Sequence, residues 1–137
     1  MGLDIYIAWD EMTKDDEDAQ ITGYIDAPEV GYFRASWPGV RYLRQASAKL
    51  DILIPLVGYH AYGGHSNGVI IDEDFLSQLK HWRTLWQAAA TDDALLSKLD
   101  TENKDFFVSK LQASAAMVDF IELKQNQGVT NLTIRYA

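Results

Sequence analysis

Residues 64–68 read Gly-His-Ser-Asn-Gly and match the G-x-S-x-G pattern that carries the nucleophilic serine of many hydrolases. That serine works at a sharp turn between a strand and a helix, where backbone N–H groups stabilise an oxyanion. Ser66 instead lies in a glycine-rich stretch, and the residues that follow it, 69–71, are Val-Ile-Ile and extended in character. We therefore expect no nucleophile at Ser66.

The histidines His60 and His65 lie in the same stretch and are the better chemical candidates there. Two imidazoles could bind a metal ion with Asp72 or Asp74 as a third ligand. Their spacing matches no standard metal motif, and the simpler interpretation is a pair of surface histidines bonded to water or backbone. The sequence favours that interpretation and predicts no cofactor.

A third set of polar residues lies on two predicted strands, residues 3–9 and 29–35. In the first, Leu, Ile, Ile and Trp alternate with other residues, the pattern of a strand with one buried face. In the first strand, Asp4 and Tyr6 face away from the core. If Tyr32 and Arg34 of the second strand do so too, all four side chains lie on the same face of the sheet. The four residues of this face would be Asp4, Tyr6, Tyr32 and Arg34.

This arrangement has two interpretations. A guanidinium fork flanked by phenol hydroxyls can orient a small polar ligand. The simpler interpretation, which we favour, is a cross-strand Asp4–Arg34 salt bridge with tyrosines covering the sheet. An exposed bridge of that kind would contribute about 0–1 kcal/mol to stability.

The expected order of elements, with strands near both ends of the sequence and helices between them, predicts an α+β fold with a small, mainly antiparallel sheet. We expect the first and last strands to pair at its centre, with helices 72–88 and 101–127 on its apolar face. The order of the strands stays open. Residues 10–19, rich in acids, are predicted to form a solvated loop or at most a frayed helix, and 58–68 an irregular loop. The predicted strands are 2–9, 29–35 and 130–136, and the predicted helices are 38–50, 72–88, 92–99 and 101–127.

Length and composition limit the class of protein. A chain of 137 residues with 47% hydrophobic residues is expected to form one globular domain, 1–137. No apolar run approaches the roughly 20 residues that a membrane helix needs, and the first residues carry no basic signal-peptide region. There are no cysteines, and the net charge of −8 opposes binding to nucleic acid. We expect a cytoplasmic protein that binds neither membranes nor nucleic acid.

The opening Met-Gly-Leu-Asp-Ile-Tyr and the Val-Gly-Tyr-Phe-Arg of residues 30–34 resemble a family of small bacterial and phage proteins of unknown function. Members of that family begin with Met-Gly-Leu-Asp, then Ile or Met, then Tyr, and later carry Val-Gly-Tyr-hydrophobic-Arg. The resemblance covers both ends of the chain and residues 30–34, but little of 51–105. It implies no activity, and it gives extra weight to Asp4, Tyr6, Tyr32 and Arg34.

The sequence thus leaves two functional hypotheses of different classes. The favoured one is a non-catalytic protein-interaction or structural domain, which binds a protein partner or a second copy of itself as a homodimer. Its aromatic residues, including four Trp and seven Tyr, are common in interfaces. The alternative is a small-ligand or metal-binding protein, with or without catalysis, that uses Asp4 and Arg34 or His60 and His65.

Overall fold

The computed structural model describes residues 2–21, 25–52, 54–56 and 68–136. These residues form a four-stranded antiparallel sheet whose apolar face is covered by helices, and the predicted α+β class is confirmed. The strands are β1 (Gly2–Ala8), β2 (Tyr32–Ser36), β3 (Val69–Ile70) and β4 (Thr133–Tyr136). The helices are α1 (Lys14–Ala19), α2 (Trp37–Leu50), α3 (Glu73–Ala90), α4 (Asp93–Leu96) and α5 (Thr101–Asn126), and a 3-10 turn spans Pro28–Val30.

The strands lie in the order β2-β1-β4-β3, and each neighbouring pair is antiparallel. The first and last described strands therefore meet at the centre of the sheet, as predicted, and β2 lies beside β1. In the register, Ile5 faces Phe33 on one side and Tyr136 on the other. Alternation along β1 then sends Leu3, Ile5 and Ile7 to the core and the residues between them to the opposite face.

The core lies between this sheet face and three helices, α2, α3 and α5. The predicted stripe of α5 is buried along its whole length: Phe107, Leu111, Ala115, Val118 and Ile121. Ion pairs between α3 and α5 indicate that these two helices run antiparallel, since the partners follow each other in opposite order. Lys80 pairs with Glu122, and Arg83 pairs with Asp119 and Glu122. In the predicted stripe of α3, Leu79 and Trp86 are fully buried, whereas Phe75 and Trp82 are only half-buried.

The acid-rich run 10–19 contains a short helix, α1, where we expected a solvated loop or at most a frayed helix. A capping box begins it: Asp16 N–H donates to the Thr13 hydroxyl at 3.1 Å, and Thr13 N–H donates to the Asp16 carboxylate at 2.9 Å. Acids in its first turn are favoured by the helix dipole. None of its residues is buried, so hydrophobic periodicity could not indicate it.

Other elements also differ from the prediction, and the last strand begins at Thr133 and not at residue 130. The second strand begins at Tyr32 because residues 28–30 form the 3-10 turn, and the helix expected at 92–99 is the single turn α4. Residues Val69–Ile70 pair with β4 as a fourth strand that the sequence did not predict. None of the helices in the described residues has the length and apolar character needed to cross a membrane.

Candidate functional site

The pairing of β1 with β2 brings together the four polar residues expected on one sheet face. Asp4 lies opposite Arg34 and Tyr6 lies opposite Tyr32. Ile7 N–H donates to Gly31 O at 2.9 Å, so the odd-numbered residues of β1 form the hydrogen-bonded pairs. Asp4–Arg34 and Tyr6–Tyr32 are then the non-hydrogen-bonded pairs, in which facing side chains come closest.

One carboxylate oxygen organises this set. Asp4 Oδ1 accepts a hydrogen bond from the Tyr32 hydroxyl at 2.5 Å and another from Arg34 Nη1 at 3.2 Å. The Tyr6 and Tyr32 rings are 5.2 Å apart between centroids. Tyr32 is only 3% exposed, and the side chains of Arg34 and Asp4 are 15% and 22% exposed. The salt bridge is therefore part of a partly buried network and not the exposed pair that we expected.

The first residue of β1 makes room for this network. A Cβ atom on Gly2 would lie 2.8 Å from Ala35 O and 3.0 Å from Arg34 Nη2. Because real Cβ atoms essentially never come within 3.0 Å of another atom, a side chain at Gly2 would force the β2 backbone at Ala35 to move, and it would also crowd the Arg34 guanidinium. The glycine of the opening Met-Gly-Leu-Asp thus permits the close approach of β1 to the β2 backbone beside Arg34.

The two tyrosines of this face keep their hydroxyl protons at neutral pH. Burial raises the pKa of Tyr32 far above its usual range, and the hydrogen bond to Asp4 adds to the effect. Burial and the nearby Asp4 also raise the pKa of Tyr6, with a partial offset from Arg34. Neither phenol is suited to act as a general base, because each holds its proton more firmly than a free tyrosine does. The network can position a bound group, but its charges already satisfy one another.

A second polar pair closes the outer edge of β2. Arg34 N–H donates to Asp26 Oδ1 at 2.8 Å, and Lys110 Nζ donates to Arg34 O and to Asp26 Oδ2, the latter at 2.8 Å. The backbone of Tyr32 bonds to Ala27 in both directions at 3.0 Å. The outward backbone groups of these two β2 residues therefore have partners within the fold, which protects this edge from pairing with another strand.

The other predicted site residues are only partly placed. His60, His65 and Ser66 lie outside the described residues. Asp72, suggested as a third metal ligand, caps helix α3, since its Oδ1 accepts from Phe75 N–H at 2.8 Å. Within 2–21, 25–52, 54–56 and 68–136, no group of three or more His, Cys, Asp or Glu side chains is placed to hold a metal ion.

A groove that we did not predict from the sequence lies at the far edge of the sheet. We call it the β3–α3 groove; it has a volume of about 400 Å³ and is lined by Val69, Ile70, Asp72, Asp74, Phe75, Gln78 and Trp82. Phe75 and Trp82 fitted the helical stripe assigned to the core, and periodicity cannot separate a half-buried member of such a stripe from a fully buried one. Ile70, at 62% exposed, is among the most exposed large apolar side chains described.

Comparisons of the chain with protein-family models, with curated proteins and with solved structures find no match.

Proposed function

We propose that this chain is a non-catalytic protein-interaction domain. The observation that carries the proposal is the β3–α3 groove, where an exposed apolar strand residue adjoins two half-buried aromatic side chains at a sheet edge. Single exposed apolar residues are ordinary on protein surfaces. Ile70 differs because it borders a concavity that also holds Phe75 and Trp82, and aromatic residues are enriched in interfaces.

The Asp4–Arg34 network supports a structural role for the other face of the sheet. Its carboxylate is neutralised by Arg34 and bonded to Tyr32, and both neighbouring phenols keep their protons. A group that already serves the fold in this way has little left to offer a substrate. This favours the interaction hypothesis over catalysis at that face.

The proposal has three further parts that the sequence supports. The partner is a second protein or another copy of this chain. The domain works in the cytoplasm, in keeping with the absence of cysteine from its sequence. It belongs with the family whose opening Met-Gly-Leu-Asp-Ile-Tyr and Val-Gly-Tyr-Phe-Arg segments it resembles.

The experiment combines two measurements on the purified protein. Sedimentation velocity over a wide concentration range detects self-association, and selection from a random peptide library detects a site for another chain. We expect either a concentration-dependent mass or an enriched peptide that binds saturably in solution.

The opposite result is a monomer at every concentration with no enriched peptide. The proposal would then be wrong, and the ligand hypothesis would be tested by thermal unfolding. A metal at His60 and His65, or a small polar ligand at Asp4 and Arg34, would raise the melting temperature by mass action.

A further inference from the structure

The edge of β3 presents backbone hydrogen-bonding groups to the groove. Ile71 N–H donates to Leu132 O at 2.8 Å, and Val69 and Ile70 lie opposite Ile134 and Thr133. Bonded and non-bonded pairs alternate along an antiparallel ladder, so the N–H and C=O of Ile70 point away from β4. No other described strand lies on that side, since β3 ends the sheet. The opposite edge differs, because Asp26, Lys110 and Ala27 close it.

The groove beside this edge suits an apolar side chain. Val69, Phe75 and Trp82 are half-buried around a concavity of about 400 Å³. Ile70, which is 62% exposed, pairs with Thr133, so its side chain points to the other face of the sheet, the face of Asp4 and Tyr6. An incoming side chain would cover Val69, Phe75 and Trp82, and the next residue of the same added strand would cover Ile70 on the other face. Burial of apolar area is the main source of affinity at such sites.

The rim of the groove is acidic. Asp72 and Asp74 line it, and Glu73 between them is exposed. The cation nearest along α3, Lys80, is paired with Glu122 at 2.9 Å. These acids follow β3 directly in the chain, so they lie at the end of the edge where β3 stops. Their charge, on a chain of net charge −8, favours a cationic partner at that end.

We propose that the β3–α3 groove binds an extended peptide segment as an added antiparallel strand. The segment pairs with the backbone of Ile70, places an apolar side chain in the groove, and carries Lys or Arg at its N-terminal end. The direction of the added strand determines which end carries the cations. A strand antiparallel to β3 begins beside the residue where β3 ends, close to Asp72 and Asp74. Strand addition of this kind gains affinity from backbone pairing and specificity from side-chain pockets. The inference rests on the proposed interaction function.

The probe is a synthetic peptide, acetyl-Lys-Lys-Val-Thr-Val-Thr-amide, titrated into ¹⁵N-labelled protein up to about 1 mM, a range that detects weak association. We expect saturable shifts at the Ile70 amide and the Trp82 indole N–H, and slower hydrogen exchange at Ile70. Three matched peptides should bind more weakly: one with Glu in place of Lys, one with the sequence reversed, and one N-methylated at alternate backbone positions.

Two variants test the protein side. Ile70→Thr keeps a β-branched strand residue but removes a methyl group and replaces a methylene with a hydroxyl. It should weaken binding by about fourfold or more, since one buried methylene alone contributes about fourfold. Asp74→Asn should weaken binding about twofold to fivefold, as for a surface charge pair. The controls are Ile21→Thr, at a site 75% exposed, and Asp105→Asn, an exposed acid near the start of α5. Neither control should change the affinity.

The outcomes separate this inference from the proposed function. Shifts that saturate elsewhere, or an affinity that Ile70→Thr and Asp74→Asn leave unchanged, would overturn the groove assignment. The groove assignment would also be wrong if the Lys peptide did not bind while library selection still yielded ligands. In each of these cases the interaction function would stand. If no peptide binds and the protein stays monomeric, both proposals fail.

Discussion

Asp4 joins β1 to β2 through side chains, because one of its oxygens accepts from both Tyr32 and Arg34. The Tyr32 hydroxyl that it holds belongs to a side chain only 3% exposed. When an acceptor is lost from such a site, the donor is left buried without compensation from water. The pair is therefore worth more than the exposed bridge that the strand pattern suggested.

Replacement Asp4→Ala should lower the free energy of unfolding by about 1–3 kcal/mol, the cost of unsatisfied buried donors. Urea unfolding followed by circular dichroism measures it. Asp105→Ala removes an exposed carboxylate from α5 and should stay within about 0.5 kcal/mol of the original protein. If Asp4→Ala lowers the free energy of unfolding by less than about 0.5 kcal/mol, the network is solvated and the prediction is wrong.

Tyr32 should make the protein less stable in alkali. Its ordinary pKa is 10.0, and burial together with the Asp4 hydrogen bond raises the pKa in the fold. Above pH 10 the unfolded chain loses this proton while the folded chain keeps it, so the free energy of unfolding falls as pH rises. The stabilising effect is complete below that pH. Urea unfolding between pH 9 and about 11 should show a shallower decline for Tyr32→Phe; equal slopes would contradict the prediction.

At the scale of elements, β3 depends on a glycine for its approach to β4. Gly68 has φ 87°, and a Cβ atom there would lie 2.6 Å from Ile134 O. Gly128, after α5, has a similar φ of 74° but nothing within 4 Å of such an atom. The two positions therefore share the backbone penalty and differ in the collision.

Gly68→Ala should cost about 2–3 kcal/mol and Gly128→Ala about 1 kcal/mol, because only the first adds a steric clash to the left-handed penalty. Urea unfolding gives both values. Hydrogen exchange at the Ile71 amide, which bonds to Leu132, locates the effect and should accelerate only in Gly68→Ala. If the two substitutions lowered the free energy of unfolding equally, β3 would be able to shift away from the added methyl group at little cost, and the prediction would be wrong.

The elements that the sequence predicted well are those with many periodic residues. Helix α5 and strand β1 show their buried faces in the spacing of apolar residues, and that phase also placed Asp4 and Arg34 together. Strand β3 has two residues and α1 buries none, so neither leaves a periodic pattern. The central pairing of β1 with β4 was predicted, but the rest of the strand order was not, because alternation indicates which face is buried and not which strand is the neighbour. The β3–α3 groove was missed for a related reason, since Phe75 and Trp82 fit a core stripe.

At the scale of the whole molecule, the segment after α5 ties the N-terminal strand to the rest. Strand β4 lies between β1 and β3, and the residues just before it bond to the turn after β1. Thr130 N–H donates to Glu11 at 2.8 Å, and Asn131 donates to Asp10 at 2.7 Å. Without this segment β1 loses one of its two neighbours and β3 loses the strand with which it pairs.

Removal of residues 130–137 should therefore abolish cooperative unfolding, since it also takes Leu132, Ile134 and Tyr136 from the core. Thermal unfolding followed by circular dichroism and the dispersion of an amide NMR spectrum measure it. Arg135→Thr changes an exposed β4 residue and should keep the fold. A truncated chain with a sharp transition would show that α3, α5 and the β1–β2 pair are stable alone.

The central place of β4 also bears on how the protein is made. A ribosome synthesises β1 first among the described strands and β4 last, yet these two strands are neighbours. While the chain grows, the side of β1 that will meet β4 has no strand to pair with, and such an edge is prone to wrong partners. The sheet can close only after residues 133–136 leave the exit tunnel. Closure of the sheet thus waits for the strand that is synthesised last of the four described, and until then nascent-chain chaperones would meet a chain that lacks one of its two central strands.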